Sequence, residues 1–318
     1  MLSRSAERLY WMARYLERTE NTARLISATM HLIYDLPYGV ELGWRNLLNI
    51  CGVEEAFYQR FKNPSEQNTT RFLLADMSNP GSLLASLSFA RENIRTSREL
   101  MPDEAWQQVN EMYLYANNNL DSLSNRRGRA LFLQEIMAGC QRFTGFMAGS
   151  MSRSDSARFI CIGRNLERAD MTSRIMDFGT VLLAENRSTK MREYETILWI
   201  NVLKSLSAVL MYRKHVRNRI RGEDVLNYLL KNPDFPRAVL HCIEEITHCI
   251  KRLPHAVELF PQLEQLEQQV LAIEIKQTTP EQLHQVLDGL QAKFDHLHQQ
   301  IAAMWFLNNL GEAEAEKN

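Results

Sequence analysis

The chain has 318 residues, of which 45% are hydrophobic and 24% charged, and its 37 Lys and Arg nearly balance 38 Asp and Glu for a formal charge of -1. That composition excludes a disordered or fibrous chain. The charge balance also excludes a broadly basic surface of the kind that holds nucleic acid or anionic lipid by counterion release, so any anion site must be local.

Arginine outnumbers lysine by 28 to 9, a skew toward the planar, bidentate and permanently charged cation that suits fixed pairing with carboxylate or phosphate. The five cysteines, Cys51, Cys140, Cys161, Cys242 and Cys249, are odd in number, form no CxxC pair and sit in apolar helical runs. Reduced thiols of a cytoplasmic protein fit this pattern, and a disulfide framework does not. The N-terminus carries Arg4, Glu7, Arg8 and Arg14 without an apolar stretch, and no run of 18 apolar residues follows. Neither a signal peptide nor a membrane span is therefore expected.

Apolar residues recur at three and four spacing almost throughout, Gly and Pro fall at breaks, and no alternating strand run appears, so the fold class is all-α. In chain order, helices are expected over about 4–34, 40–60, 80–100, 102–121, 127–149, 155–185, 190–219, 235–252, 257–275 and 280–309. Asn79-Pro80, Met101-Pro102-Asp103-Glu104, Asp234-Phe235-Pro236 and Thr279-Pro280-Glu281 each place Pro near a first helical position beside a capping or acidic side chain, where its missing N–H costs nothing.

The first helix carries "ARYLERTENTARLI" at 13–26, and "GRNLERADMTSRIM" follows at 163–176. "WRNLL" at 44–48 matches "WINVL" at 199–203, and "FLLADMSNPGSLLASL" at 72–87 matches "YLLKNPDFPRAVLHCI" at 228–243, all in the same order and at nearly constant offset. The reading is an internal duplication: a helical bundle of two pseudo-symmetric half-chains, 1–150 and 151–318, joined as one all-α unit. Two copies create a pseudo-two-fold, so the two Arg/Glu helices could face each other across one cleft.

On a helical wheel, Leu9, Met12, Leu16, Thr19, Ala23 and Ile26 fall on one arc, and Arg14, Glu17, Arg18, Asn21 and Arg24 on the opposite one. A solvated charged face is the ordinary meaning of such a stripe. Yet the charges match between copies as Arg8/Arg158, Arg14/Arg164, Glu17/Glu167, Arg18/Arg168 and Arg24/Arg174, while apolar positions have drifted. A solvated face drifts faster than a core face, so a site or a buried ion network is expected instead.

Arg at i with Glu at i+3 and Arg at i+4 holds a carboxylate between two guanidinium groups and keeps it ionised, with spare donors turned outward for an anion. Arg91, Arg95 and Arg98 form a third stripe that could line the same cleft. Glu17 and Glu167 are the candidate catalytic residues, although flanking arginines oppose the raised pKa that acid/base work needs.

"EITH" at 245–248 and "EQLH" at 281–284 share the Glu-x-x-His spacing of di-iron bundles. The pattern is short and the other half-chain lacks it, so no metal and no cofactor is expected, and these histidines are read as surface or capping residues. There is no GxxxxGK[ST] loop, GxGxxG, GxSxG or HExxH. "GFMAG" at 145–149 reads as close helix packing, and "YRKHVRNRIRGED" at 212–224 as a solvated helix end.

The repeated LER-[ED]-x-T-x-R pattern, the opening "LSRSAERLYWMARYLERTENTARLI", "FARENIRTSRELMPDEAW" at 89–106 and "LLKNPDFPR" at 229–237 together resemble the bacterial Alpha-E family, all-helical proteins named for their ER motif. The likeness runs over essentially the whole chain. It places the family's motif on Arg14, Glu17, Arg18 and Arg24 and on Arg164, Glu167, Arg168 and Arg174, with Ala13 where the family often has Gly. It also implies company with a circularly permuted ATP-grasp protein and a transglutaminase-like peptidase, hence a pathway that makes, trims or modifies peptide or amide bonds.

Three readings follow. The first is an accessory protein that binds an anionic peptide, a small ligand or a partner through the arginine-lined cleft, with neither nucleic acid nor membrane involved. The second is an enzyme using Glu17 or Glu167 to activate an amine or water. The third is a structural scaffold with buried ion pairs joining the halves. The oligomeric state is not legible.

Overall fold

Ser3–Asp35 form one helix, α1, because 33 residues pass without a Gly or Pro. A computed structural model describes residues 2–35, 43–185 and 189–306 of the chain. After α1 come α2 (Arg45–Cys51), α3 (Glu54–Tyr58), α4 (Glu66–Leu74), α5 (Leu83–Arg95), α6 (Asp103–Asn118) and α7 (Arg126–Ser150). Then follow α8 (Asp155–Glu185), α9 (Thr189–Ser205), α10 (Val209–Val216), α11 (Gly222–Lys231), α12 (Val239–Ile250), α13 (Phe260–Leu271) and α14 (Pro280–Trp305). The fold is all-α, and no helix among the described residues is long and apolar enough to cross a membrane.

Most expected helices stand within a few residues of their expected bounds, with three differences. The 40–60 segment, whose first residues 40–42 lie outside the described ones, breaks into α2 and α3 at Gly52. Its φ of 67° gives α2 a left-handed cap whose N–H reaches the Asn49 and Leu48 carbonyls. The 190–219 segment breaks likewise at Ser207, φ 53°, into α9 and α10. Two helices, α4 and α11, stand where the apolar spacing gave no helix; α4 starts on a Ser65 side chain that accepts from the Asn68 N–H. The expected 307–309 end of the last helix lies outside the described residues, and Thr279 closes the first turn of α14 as a capping box with Gln282.

α1 and α8 are the two axial helices. α1 packs against α5, α7, α8 and α9, and α8 against α1, α12 and α14. They run parallel: the Tyr10 carbonyl lies against Gly163, Glu17 meets Arg168, and Leu25 shares a cavity wall with Ile175. A Cβ at Gly163 would stand 2.3 Å from the Tyr10 carbonyl oxygen, so only glycine allows the two backbones this approach. The apolar arc of α1, including Leu9, Met12 and Ile26, is buried as the wheel implies, but so are Glu17 and Asn21 of its polar arc, and Glu20 as well. α1 is therefore enclosed all round, and its charged side is turned toward α8.

Candidate functional site

Enclosing a carboxylate between two helices demands donors, and both copies of the motif supply them across the α1–α8 seam. Glu167 on α8, 3% exposed, receives Arg14 Nε at 2.7 Å on Oε2. Arg18 adds Nε at 2.5 Å on Oε1 and Nη2 at 3.1 Å on Oε2. In the reverse sense, Glu17 on α1 receives Arg168 Nε at 3.0 Å on Oε1 and Nη2 at 2.7 Å on Oε2. The copies thus exchange charges: each motif's arginine holds the other motif's glutamate.

The exchange is reciprocal for Arg18 and Arg168 only. The counterpart of Arg14 is Arg164, which makes no hydrogen bond to Glu17 and whose buried Nε has no hydrogen-bond partner among the described residues. Its place is taken by Arg237, in the turn before α12, whose Nη1 donates to Glu17 Oε1 and Asn21 Oδ1, both at 2.7 Å, while Nη2 lies 3.2 Å from Glu20 Oε1. Arg237 escaped the sequence reading although it lies in the matched 228–243 segment. A signal existed: Gly81 of the matched 72–87 segment stands at the position of Arg237, so the arginine is a charge that one segment has and the other lacks.

Burial pushes both carboxyls up, but guanidinium groups outweigh it: Arg168 and Arg237 hold Glu17 at about 2, and Arg18 and Arg14 hold Glu167 at about 2. Arg14 and Arg168 are drawn down by burial and raised further by their glutamates, ending above the ordinary arginine range. Such glutamates are ionised at neutral pH and weak as bases.

The remaining candidates divide. Arg24 pairs within α1 with Glu20 through Nε at 2.9 Å and Nη2, and its Nη1 donates to Ser207. Arg174 pairs within α8 with Asp170 at 2.9 Å. Arg8 donates to the Thr96 carbonyl at 3.1 Å and Arg158 to Asp155 at 2.5 Å. Arg91 and Arg95 do not join the clamp: Arg95 lies on the surface with Glu92, and Arg91 bonds Asn110 and covers Trp106 and Tyr113. Arg98 lies over the Trp106 ring at 4.1 Å.

Beside the clamp, α1 carries an aromatic run that the sequence reading left out. Trp11 stacks on Tyr15 at 5.4 Å, and Tyr15 meets Phe89 of α5 at 5.2 Å. Arg14 covers Trp11 and Arg18 covers Tyr15, so two clamp arginines also cap these rings. Behind them, Arg14 Nη1 donates to the Tyr10 hydroxyl at 3.2 Å, and that hydroxyl, 2.9 Å from His298 Nδ1, has its own proton left to donate there. Burial, together with Arg14, holds His298 down to about 4, leaving a neutral imidazole, and burial lifts Tyr10 to about 12.

The Glu-x-x-His histidines do not meet. His248 bonds Arg252 and His284 bonds Asp177, and among the described residues no three His, Cys, Asp or Glu side chains stand together to hold a metal.

The model of the Alpha-E family, described as a predicted alpha-helical domain with a conserved ER motif, matches residues 1–306. Comparison with curated proteins and with solved structures gives no match.

Proposed function

The chain belongs to the Alpha-E family, and from that premise we propose that it is a helical binding module. Its motif charges form an internal clamp, and the Trp11–Tyr15–Phe89 face beside them takes an acidic segment of a partner protein. One observation carries this reading. Both motif glutamates are consumed by arginines inside the seam, whereas Arg18 keeps 26% of its side chain exposed over Tyr15, next to a Phe89 that is 40% exposed. A guanidinium held on an aromatic platform, partly open to solvent, is a ready partner for a carboxylate flanked by apolar side chains.

Charge supports the same partner. Arg14, Arg18, Arg24, Arg164, Arg168, Arg174 and Arg237 surround Glu17, Glu20, Glu167 and Asp170, seven cations to four anions, and the surplus favours an acidic visitor. The circularly permuted ATP-grasp protein and the transglutaminase-like peptidase implied by the family resemblance are the candidate partners, which would make this an accessory protein of a peptide- or amide-bond pathway. The five free cysteines favour a reducing, cytoplasmic setting.

The duplication belongs to this proposal as well. Half-chains 1–150 and 151–318 are read as two copies because Arg18–Glu167 and Arg168–Glu17 are reciprocal, and because α5 and α12, like α4 and α11, open about 155 residues apart. In the enzyme reading, Glu17 or Glu167 must accept a proton, and carboxyls at about 2 are ill suited to that. The purely structural reading explains the clamp but leaves the part-exposed aromatic face without a role.

The test is calorimetric titration of the protein with a glutamate-rich peptide and with the ATP-grasp protein, repeated on Phe89→Ser and Arg18→Ala. Binding by wild type that both variants lose supports the reading. Binding by neither probe, or binding that Phe89→Ser retains in full, removes it.

A further inference from the structure

The two copies differ most where the last motif arginine ends. Arg24 spends all three nitrogens, on Glu20 and Ser207. Arg174 spends only Nε, on Asp170 at 2.9 Å, and among the described residues its two Nη groups make no hydrogen bond. Arg174 lines a groove of about 300 Å³ between α2, α8 and α14, together with Asn46, Asn49, Asp177, His284 and Gln291 and an apolar floor that includes Phe178. Gly52 lies close to the guanidinium: a Cβ there would stand 3.1 Å from Arg174 Nη1.

Across the groove, His284 Nδ1 is 2.7 Å from Asp177 Oδ1. That bond orients the ring and leaves Nε2 as the nitrogen for a visitor, an arrangement in which a carboxylate fixes an imidazole's tautomer. Convergent amides, a guanidinium with two unspent donor groups and an oriented imidazole above apolar surface are the makings of a small-molecule site.

We propose that this groove binds the carboxylate of a small acyl compound or of a peptide C-terminus, with Arg174 Nη1 and Nη2 gripping the two oxygens, an Asn49 or Asn46 amide adding a bond, the His284 ring beside them, and the apolar body resting on Phe178. The lining decides the charge of the ligand. Arg174 is the cation of the lining, and Asp177 within it, with Asp170 and Asp288 just outside, disfavours a multiply charged anion. Phosphate is therefore the wrong class and a monocarboxylate the right one. The groove shares no residue with the Trp11–Tyr15–Phe89 face, so this inference stands apart from the partner-binding reading.

The test follows the His284 ring resonances of the full chain by NMR at pH 7 during titration with N-acetylalanine, with N-acetylalaninamide, which has the same body without the charge, and with inorganic phosphate. The expected result is a saturable shift with N-acetylalanine alone, lost in Arg174→Gln. His284→Asn, at a side chain that is half exposed, keeps the fold and identifies the resonance. No saturable shift, an equal response to the amide, an unaltered response in Arg174→Gln, or tighter binding of phosphate would each overturn the proposal.

Discussion

Arg168 on α8 grips Glu17 on α1 through two parallel hydrogen bonds, at 3.0 and 2.7 Å, inside a seam where the glutamate is 3% exposed. The mirrored pair, Arg18 on Glu167, has the same bidentate form. A buried pair of this kind adds little net stability over an apolar pair, but removing one partner strands the other's charge.

Glu167→Gln should therefore destabilise by on the order of 3 kcal/mol, because Arg14 and Arg18 would both lose their anion inside the seam. Urea unfolding followed by circular dichroism measures it. A midpoint equal to wild type would mean that the charges do not carry the seam.

Acid should unfold the protein through the same two groups. Glu17 and Glu167 lie at about 2 in the fold, below the ordinary glutamate value of 4.5, so the unfolded chain binds their protons more readily. Their contribution is complete above about pH 5 and is lost as pH falls from there toward 2, by on the order of 3 kcal/mol for each group. Thermal melting between pH 6 and 2.5 should show this decline, with Glu167→Gln showing a shallower one. An identical slope in the variant contradicts the assignment.

Gly163→Ala should cost on the order of 3 kcal/mol, since its Cβ would meet the Tyr10 backbone oxygen of α1 and neither axial helix can yield. Gly145→Ala is the control: it sits in α7 with nothing within 4 Å, so the change should stabilise by up to about 1 kcal/mol through helix propensity. Paired denaturant melts check both, and equal effects at the two sites would rule out the close helix contact.

Phe89→Ser should leave stability within about 1 kcal/mol, because the ring is 40% exposed, yet remove binding of an acidic partner. Thermal shift and calorimetry on one preparation separate the two effects. A large loss of stability would make Phe89 a core residue rather than a contact.

Much of this was legible in the sequence. The long helices follow from apolar spacing, and the two Arg/Glu motifs were recognisable as something other than a solvated stripe, because Arg14, Glu17 and Arg18 recur as Arg164, Glu167 and Arg168. What was hidden depended on the third dimension. A wheel shows that α1 has a charged arc, but not that the arc faces a second helix, so a ligand-binding cleft and a buried ion network were equally compatible with it. Arg237 reaches Glu17 over a separation of 220 residues, beyond any helical period. Arg91 and Arg95 repeat the motif's spacing, but α5 turns Arg91 toward Trp106 and Arg95 toward solvent. The helix breaks at Gly52 and Ser207 depend on left-handed residues, which an apolar period does not register.

The central claim is that the charges of one motif helix meet those of the other. A double-mutant cycle on Glu17→Gln and Arg168→Met, measured by urea unfolding of the two single variants, the double variant and wild type, tests it most directly. The clamp predicts that the double variant is more stable than the sum of the single losses implies, with a coupling of about 2 kcal/mol or more, since each single change strands a buried charge that the double change removes. Additive losses, with coupling near zero, would show that Glu17 and Arg168 do not interact and would contradict the clamp.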